Sequence, residues 1–246
     1  MKFLVCISKT PDTTSKINFT NNNTEFDKTN VQYIVNPYDE WYALVRAIEL
    51  KEQFGGSVTT ITVGTAEDDA IIRKALAIGA DDAVRVDAEA KDAFQVSTQI
   101  ANYAKENGFD VVLVGKETID YNGGVVGSMV AEIMDAAYVA IAINLDMDGN
   151  TATITRDIGG GSEVVEVQTP FVLSAAKGVA EQRIPNMRGI MAARTKPLTL
   201  VPATDAEERL SISSYELPPA KSAVKMVDAE NVQELVDLLH NEAKMI

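Results

Sequence analysis

The first half of the chain alternates short apolar runs with longer segments in which apolar residues recur at helical spacing. This alternation is typical of βα units, in which helices connect parallel strands. Predicted helices end at glycines such as Gly79 and Gly108, and the run from Val111 to Val114 is apolar throughout. Because such strands occur where helices cover both faces of a sheet, the sequence predicts a parallel α/β fold. The strand-like runs are KFLVCI, SVTTITVG, DAVRVD and VVLV.

The pattern changes after about residue 138. Several strand-like runs follow one another, separated by turn signals at Asp148-Gly149-Asn150 and at Gly159-Gly160-Gly161, and this predicts an antiparallel addition to the sheet. We therefore predict an α/β domain over residues 1–201 and an extended C-terminal arm over residues 202–246. The arm ends in a short amphipathic helix, which must dock on its own domain or on a partner chain. Its apolar stripe consists of Val232, Leu235, Val236 and Leu239.

The composition excludes several classes of function. A formal net charge of −14 argues against binding to nucleic acid or anionic membranes, which requires clustered Lys and Arg. No apolar run reaches membrane-spanning length, and the N-terminal segment turns polar too early for a secretory signal, so we expect a cytoplasmic protein. One cysteine and one histidine leave no set of soft metal ligands, so we expect no metal, and any redox chemistry requires a bound cofactor.

The stretch VVLVGKETIDYNGGVVGSM combines a buried strand, a polar loop with a glycine pair, and the start of an apolar helix. In parallel α/β sheets, ligands bind beyond the carboxyl ends of the strands, where helix N-termini present free N–H groups. The amides of residues 123–127 are therefore candidates for holding a phosphate. The loop matches neither the Walker pattern nor G-x-G-x-x-G, and an ordinary strand-to-helix loop stays open as the alternative.

Two further segments, at Asn36 and at Cys6, are also open to either a structural or a ligand-binding interpretation. Asn36-Pro37 follows the short strand-like run VQYIV, the second in the chain, where it can cap the next helix, or the Asn36 amide can bind an adenine or ribose. Cys6 lies on an apolar strand, where a free cysteine behaves as a small hydrophobe, although its backbone lies at a strand end. The acids Asp68 and Asp69 are expected on an exposed face.

The segment IPNMRGIM carries Met187, Ile190 and Met191 in a loop interrupted by proline and glycine. Its apolar residues either return the chain to the core or form a surface that packs against partner proteins. Arg194 and Lys196 add positive charge to an otherwise acidic chain, and this local contrast favours docking.

Taken together, five segments resemble the β subunit of electron transfer flavoproteins, in the same order and over nearly the whole chain. They are VNPYDEWYALVRAIELKE, IRKALAIGADDAVRV, DVVLVGKETID, TRDIGGGSEVVEVQTPFVLSAA and EQRIPNMRGIMAARTKPL. The resemblance implies a Rossmann-like, adenine nucleotide hydrolase-like fold. It also implies a heterodimer in which an α subunit carries the redox-active FAD, shared with β, while β binds AMP or, in electron-bifurcating members, a second FAD.

By position, the resemblance also implies the site residues. Met187, Ile190 and Met191 match the partner-recognition loop, Glu163 matches a glutamate that steadies the flavin domain of α, and the arm matches the segment that wraps onto α. No catalytic residue is implied. The residues expected around the nucleotide are Cys6, Asn36, Val63, Gly115, Thr118, Asp120, Asn122, Gly123, Gly124, Val125, Val126 and Gly127.

The loop departs from the family after Asp120. AMP-binding members continue with acids and a Gln-Thr pair that hold the phosphate, whereas this chain has Tyr121-Asn122-Gly123-Gly124-Val125-Val126. The identity of the nucleotide, AMP or FAD, therefore stays open.

Three functions follow from these observations. The first is a redox-carrier subunit that accepts electrons from an acyl-CoA-type dehydrogenase and passes them to a quinone-reductase-type acceptor. The second is electron bifurcation, with NADH oxidised at a second FAD in β. The third is a stand-alone, stress-type module that binds adenylate, which needs neither a recognition loop nor a docking helix.

Overall fold

The computed structural model describes residues 1–221 and 223–246, and within them the strands form one nine-stranded sheet and two small ribbons. The order in the large sheet is β11-β10-β9-β12-β8-β1-β6-β7-β13. All neighbours from β9 to β13 in this order pair in parallel, and β10 and β11 add an antiparallel edge. The predicted α/β fold with an antiparallel addition is confirmed.

The described elements have the following bounds. The strands are β1 Lys2–Cys6, β2 Lys9–Pro11, β3 Phe19–Thr20, β4 Glu25–Phe26, β5 Tyr33–Val35, β6 Ser57–Gly64, β7 Asp82–Asp87, β8 Val111–Gly115, β9 Ala137–Asp148, β10 Thr151–Asp157, β11 Ser162–Gln168, β12 Phe171–Ala175 and β13 Leu198–Pro202. The helices are α1 Asp39–Phe54, α2 Asp69–Ile78, α3 Ala93–Asn107, α4 Val126–Met134, α5 Met187–Ala193 and α6 Val232–Asp237, the last continuing into a π turn at Leu238–Glu242.

Two apolar clusters lie on opposite faces of the sheet, because successive strand residues point to opposite sides. In β1, Phe3 and Val5 pack with α1 and α2, whereas Leu4 and Cys6 pack with α3 and α4. The strands β8 and β12 alternate in the same way, which explains why their sequences are apolar throughout. The predicted coverage of both faces is confirmed.

The strand β9 changes partner along its length. Its first part pairs in parallel with β12 and its second part antiparallel with β10, and Ile141 between them has a positive φ of 56°. Beyond this bend, β9 lies against α1, where Arg46 donates a hydrogen bond of 2.9 Å from Nε to the Leu145 carbonyl. We predicted that all strand-like runs after residue 138 form the antiparallel addition. That prediction is wrong for β12, which lies between β8 and β9 as a parallel strand.

The segment between β1 and α1 forms the two small ribbons. Tyr33–Val35 (β5) was predicted as a strand of the main sheet, but it pairs antiparallel with β2 outside that sheet. The β3–β4 hairpin turns through Asn21, Asn22 and Asn23, all of which have positive φ. Asparagine tolerates this conformation better than most residues, so the asparagine run is explained by the turn.

The C-terminal arm has two parts. Residues 204–215 lie against the α/β domain, and the part that follows ends in α6, whose Val232, Leu235 and Val236 are exposed. These three residues of the α6 stripe are therefore not buried against the part of the chain that the structure describes. Among the described residues, none of the helices combines the length and the apolarity that crossing a membrane requires.

Candidate functional site

The sheet has a crevice where its strand order reverses. From β1 the chain first adds β6 and β7 on one side and later β8 and β12 on the other, so the strand ends at Cys6, Gly64 and Gly115 flank the reversal. Ligands of open α/β sheets bind at such reversals, beyond the carboxyl ends of the strands. The loop from residue 116 to residue 125 begins at this edge.

Asn36 holds the loop that follows β8. Its side-chain nitrogen donates to the Glu117 carbonyl at 2.9 Å, and its side-chain oxygen accepts from the Ile119 N–H at 3.1 Å. The residue is fully buried. The predicted capping role is wrong, because α1 begins at Asp39 with Tyr38 as its N-cap. The amide of Asn36 is thus engaged in shaping the candidate site.

A buried carboxylate, which the sequence reasoning missed, fixes the end of β1. Glu40 accepts hydrogen bonds from the Ser8 N–H at 2.7 Å and from the Ser8 hydroxyl at 2.6 Å. Burial raises the pKa of Glu40 to about 8, although both bonds from Ser8 act in the opposite direction. Gly115 passes so close that a Cβ would lie 2.8 Å from Glu40 Cγ. The only signal in the sequence was an acid on the apolar side of a predicted helix.

The glycine pair leaves space in front of α4. Gly124 has a φ of 63°, which favours glycine, and a Cβ added at Gly123 would meet nothing within 4 Å. The N–H groups of the first turn of α4 have no partner within the helix, as at every helix start, and its N-cap Val125 supplies no side-chain acceptor. This open, donor-rich backbone fits the phosphate of an adenine nucleotide.

Gly127 has a packing role instead of facing the open side. It is buried, and a Cβ there would lie 2.7 Å from Val114 Cγ2 and 3.0 Å from the Tyr138 ring. The residue therefore allows α4 to pack closely on the sheet. Val126, beside it, accepts a hydrogen bond at its carbonyl from the Ser97 hydroxyl at 3.3 Å, which ties α4 to α3.

The remaining predicted nucleotide residues surround the same edge. Cys6 is buried in the α3–α4 cluster, and burial raises the pKa of its thiol, so the side chain packs in the core as expected. Val63 packs at the margin of that cluster. Thr118 accepts the Asn122 N–H at 2.9 Å, and Asp120 accepts the Tyr121 N–H at 2.9 Å, which gives the loop a compact turn. Asn122 itself has a positive φ of 50°.

The expectation of an exposed face at Asp68 is wrong. Asp68 is buried and accepts the Thr65 N–H at 2.7 Å, while Lys9 lies 2.6 Å from its other oxygen. A side chain at Gly64 would collide with this carboxylate. The acid therefore closes the turn after β6 and keeps the crevice wall in place.

The arm reaches the candidate site through Tyr215. Its hydroxyl lies 3.2 Å from the Tyr121 hydroxyl, and its ring stacks on Phe19 with the centroids 4.7 Å apart and an angle of 8° between planes. A segment that we had assigned to a partner-binding arm thus lies beside the loop of the site.

A second surface is formed by α5. Met187 is 74% exposed, Ile190 41% and Met191 55%, so these apolar side chains do not return to the core. The helix starts at Asn186, whose side chain accepts the Gly189 N–H at 2.9 Å. The prediction of an exposed apolar surface is consistent with these positions.

Two cations fix α5 on α2. Arg73 donates to the carbonyls of Ala193 at 2.8 Å and of Lys196 at 2.6 Å, and Lys196 donates to the Leu76 carbonyl at 2.9 Å. Burial lowers the pKa of Lys196. Its predicted part in a basic docking patch is therefore wrong, because its ammonium group caps the end of α2. Arg194 remains exposed.

Glu163 lies on β11, which pairs with β10 at the antiparallel edge of the sheet, and it is not part of the glycine loop. It sits opposite Arg156 across the two strands, with 3.6 Å between Arg156 Nη1 and a carboxylate oxygen. Both side chains are partly exposed. No group of three His, Cys, Asp or Glu residues in the described part of the chain is arranged to hold a metal ion.

Known proteins resemble this chain over most or all of its length. A model of the electron transfer flavoprotein domain matches residues 24–206. The electron transfer flavoprotein subunit beta of Bacillus subtilis is 36% identical over 260 residues, and the match covers all of both chains. The protein of the same name from Syntrophomonas wolfei is 35% identical, over all of this chain and 98% of the relative. The acryloyl-CoA reductase electron transfer subunit gamma of Anaerotignum propionicum is 27% identical, over 97% of this chain and 98% of the relative.

Proposed function

We propose, since the chain belongs to the electron transfer flavoprotein β-subunit family, that it moves electrons as one half of an αβ heterodimer. In this proposal electrons enter from an acyl-CoA-type dehydrogenase and leave to a quinone-reductase-type acceptor. FAD, shared with the α subunit, supplies the redox chemistry when bound. The β chain contributes binding surfaces and catalyses no reaction by itself. A single, buried free cysteine suits a reducing, cytoplasmic location.

The observation that carries the proposal is that two separate surfaces coexist on one α/β domain. One is the donor-rich loop at Gly123-Gly124, and the other is the apolar face of α5. A carrier subunit needs both, because it must hold a nucleotide permanently while it meets partners transiently. A stand-alone adenylate module needs only the first, and it leaves the exposed stripe of α6 unexplained.

AMP is the nucleotide that we propose for the loop. The backbone of Gly123, Gly124 and Val125 and the first turn of α4 would hold its phosphate, and Asn36 would keep the loop in the binding conformation. Cys6 and Val63 contribute strand-end backbone, and Gly115, Thr118, Asp120 and Asn122 shape the rim. Val126 and Gly127 place α4 at the correct distance from the sheet.

Partner recognition is proposed for Met187, Ile190 and Met191. Methionine adapts its shape to different apolar pockets, which suits a surface that meets more than one protein. Arg188 and Arg194 are exposed beside these residues and favour an acidic rim on the partner. Glu163 is proposed to contact the α subunit. The part of the C-terminal arm that follows Tyr215 and includes α6, here named the outer arm, is proposed to contact it as well.

A bifurcating subunit, with a second FAD in β that accepts electrons from NADH, is the second candidate. The loop departure leaves this candidate open, because Tyr121-Asn122-Gly123-Gly124 lacks the acids and the Gln-Thr pair of AMP-binding members and also lacks the Asp-Gly-Asp-Thr of bifurcating members. The exposed glycines offer space for a larger nucleotide. The similarity to an electron transfer subunit of an acryloyl-CoA reductase is compatible with either function.

The experiment that decides between these functions is co-expression with the α chain followed by nucleotide release. One flavin per heterodimer plus AMP, identified by mass, supports the simple carrier. Two flavins per heterodimer and reduction by NADH support bifurcation. A chain that forms no heterodimer and releases an adenine nucleotide alone contradicts both and supports the stand-alone module.

A further inference from the structure

The C-terminal arm changes character at Tyr215. Its inner part, residues 204–215, is attached to the α/β domain of the same chain. The attachment starts at Gln99 in α3, whose side chain accepts the Thr204 N–H and donates to the Thr204 carbonyl, both at 2.8 Å. We name residues 204–215 the strap.

The strap has a first anchor at the start of α3. One oxygen of Asp92 caps the helix by accepting the Gln95 N–H at 2.7 Å, and the other accepts the N–H groups of Arg209 and Leu210. The Arg209 guanidinium lies 3.6 Å from the centroid of the Phe94 ring. One carboxylate thus ties the strap to a helix end, and the cation–π contact adds to this attachment.

The second anchor is Tyr215. Its N–H donates to the Asn23 carbonyl at 2.7 Å, its ring stacks on Phe19, and its hydroxyl meets that of Tyr121. Three independent contacts therefore fix one residue. The Tyr121 contact is the one that connects the strap with the loop of the candidate nucleotide site.

The two anchors are connected to the elements that precede and follow the glycine loop in the chain. Leu210 and Tyr215 are five residues apart, so the chain between them spans at most about 18 Å. On one side, α3 is tied to the start of α4 by Ser97. On the other side, Tyr121 lies two residues before Gly123 in sequence. Residues 211–214, which are exposed, therefore span the distance between the start of α3 and Tyr121, whose loop carries Gly123.

We infer that the strap closes the nucleotide site and that the Tyr121–Tyr215 contact is its latch. This inference rests on the proposed adenine nucleotide site. A nucleotide that orders residues 121–125 also fixes Tyr121, and a latched strap fixes the same loop from outside. By linkage, nucleotide binding must favour the latched strap by the same factor by which the latched strap favours nucleotide binding. The strap thus serves this subunit, and only the outer arm is left for the partner.

The test uses the full-length chain, freed of nucleotide, with AMP as the probe. Calorimetric titration compares the wild type with Tyr215→Ala, which removes the stack and the latch, and with Tyr215→Phe, which keeps the stack. The loss of one neutral hydrogen bond corresponds to about a 2- to 10-fold weaker Kd for Tyr215→Phe, and we expect a larger loss for Tyr215→Ala. Tyr103→Phe, on the far part of α3, is the matched control and should bind as the wild type does.

Hydrogen exchange of the wild type gives a second readout that requires no variant. Binding of AMP should slow hydrogen exchange at the amides of Arg209, Leu210 and Tyr215. The factor of slowing should be about equal to the factor by which Tyr215→Ala raises the Kd for AMP. Unchanged exchange at these amides, or wild-type affinity in Tyr215→Ala, overturns the strap inference and leaves the nucleotide site intact. A wild type that binds neither AMP nor FAD overturns the nucleotide site itself.

Discussion

Ser8 donates two hydrogen bonds to Glu40, one from its backbone N–H at 2.7 Å and one from its hydroxyl at 2.6 Å. This pair joins the end of β1 to the first turn of α1, where Gly115 of β8 also makes its closest approach. Three elements that border the crevice therefore meet at one buried carboxyl group. A titratable group in this position makes the stability of the crevice depend on pH.

Glu40→Gln should flatten the dependence of stability on pH. Burial raises the pKa of Glu40 to about 8 from its ordinary 4.5, so the folded chain holds the proton more tightly than the unfolded chain does. The protonated Glu40 therefore stabilises the fold fully below about pH 4.5, and this stabilisation is lost as the pH rises through about 8. The loss in the free energy of unfolding is at most about 5 kcal/mol, at about 1.4 kcal/mol per pKa unit. Glutamine mimics the protonated acid. Urea unfolding at pH 5.5 and pH 8.5 checks the prediction, and equal pH slopes in both proteins would contradict it.

Asn36→Ala should weaken both the fold and the nucleotide site. The change removes the bonds to Glu117 and Ile119 and leaves those backbone groups without this partner, a loss of about 1–3 kcal/mol in the free energy of unfolding. Because the loop loses its brace, the AMP affinity should fall further than stability alone explains. Denaturant unfolding and calorimetry, both on the full-length chain, measure the two effects. A variant with weakened stability and unchanged AMP affinity would remove Asn36 from the site.

Two glycine substitutions separate packing from binding. Gly127→Ala forces Cβ against Val114 and Tyr138, and we expect a loss of about 1–3 kcal/mol in the free energy of unfolding. Gly123→Ala meets open space and should leave that free energy within about 0.5 kcal/mol of the wild type, while it weakens AMP binding by filling the approach to the backbone. Thermal unfolding and AMP titration of both variants are the measurements. The reverse pattern would place the ligand elsewhere.

Met187→Ala should slow electron transfer from the dehydrogenase partner about 10-fold or more, since a central apolar anchor contributes about 2 kcal/mol to an interface. Heterodimer formation and flavin content should stay unchanged. Leu200→Ala is the control, because Leu200 is also an exposed apolar residue but lies on β13, outside both proposed partner surfaces. Stopped-flow reduction of the heterodimer measures the rates, and equal rates for both variants would argue against α5 as the recognition surface.

Removal of residues 216–246 should abolish association with the α subunit while the remaining chain stays folded. The exposed stripe of α6 is lost, but the strap with its anchors at Asp92 and Tyr215 remains. Size-exclusion chromatography after co-expression, with circular dichroism of the truncated chain, tests both statements. A truncated chain that still elutes as a stable heterodimer would assign α binding to another surface.

The sequence predicted those parts of the fold that depend on local patterns. The apolar run from Val111 to Val114 indicated a strand covered on both faces, and Gly108 marked the end of α3. These features depend on neighbours in the chain, so periodicity and capping preferences suffice to predict them.

Features that depend on distant partners were missed. Glu40 looked like one more acid in a helix, because its partner Ser8 lies on another element. Asn36 looked like a helix cap, whereas its amide bonds to a loop some eighty residues further on. Lys196 suggested a docking surface because its bond to the Leu76 carbonyl cannot be read from local charge. The strap was assigned to a partner because its anchors at Phe19 and Asp92 lie far away in sequence.

The attachment of α5 to α2 has a consequence for the speed of partner exchange at the proposed recognition surface. Arg73 and Lys196 hold the backbone of α5 before any partner arrives, and a side chain at Gly189 would collide with the Ala77 carbonyl. Association then costs mainly the rotamer freedom of a few flexible side chains such as Met187 and Met191, without an ordering step for the main chain. Encounters can therefore be short-lived and still specific, which suits a shuttle that visits one enzyme after another.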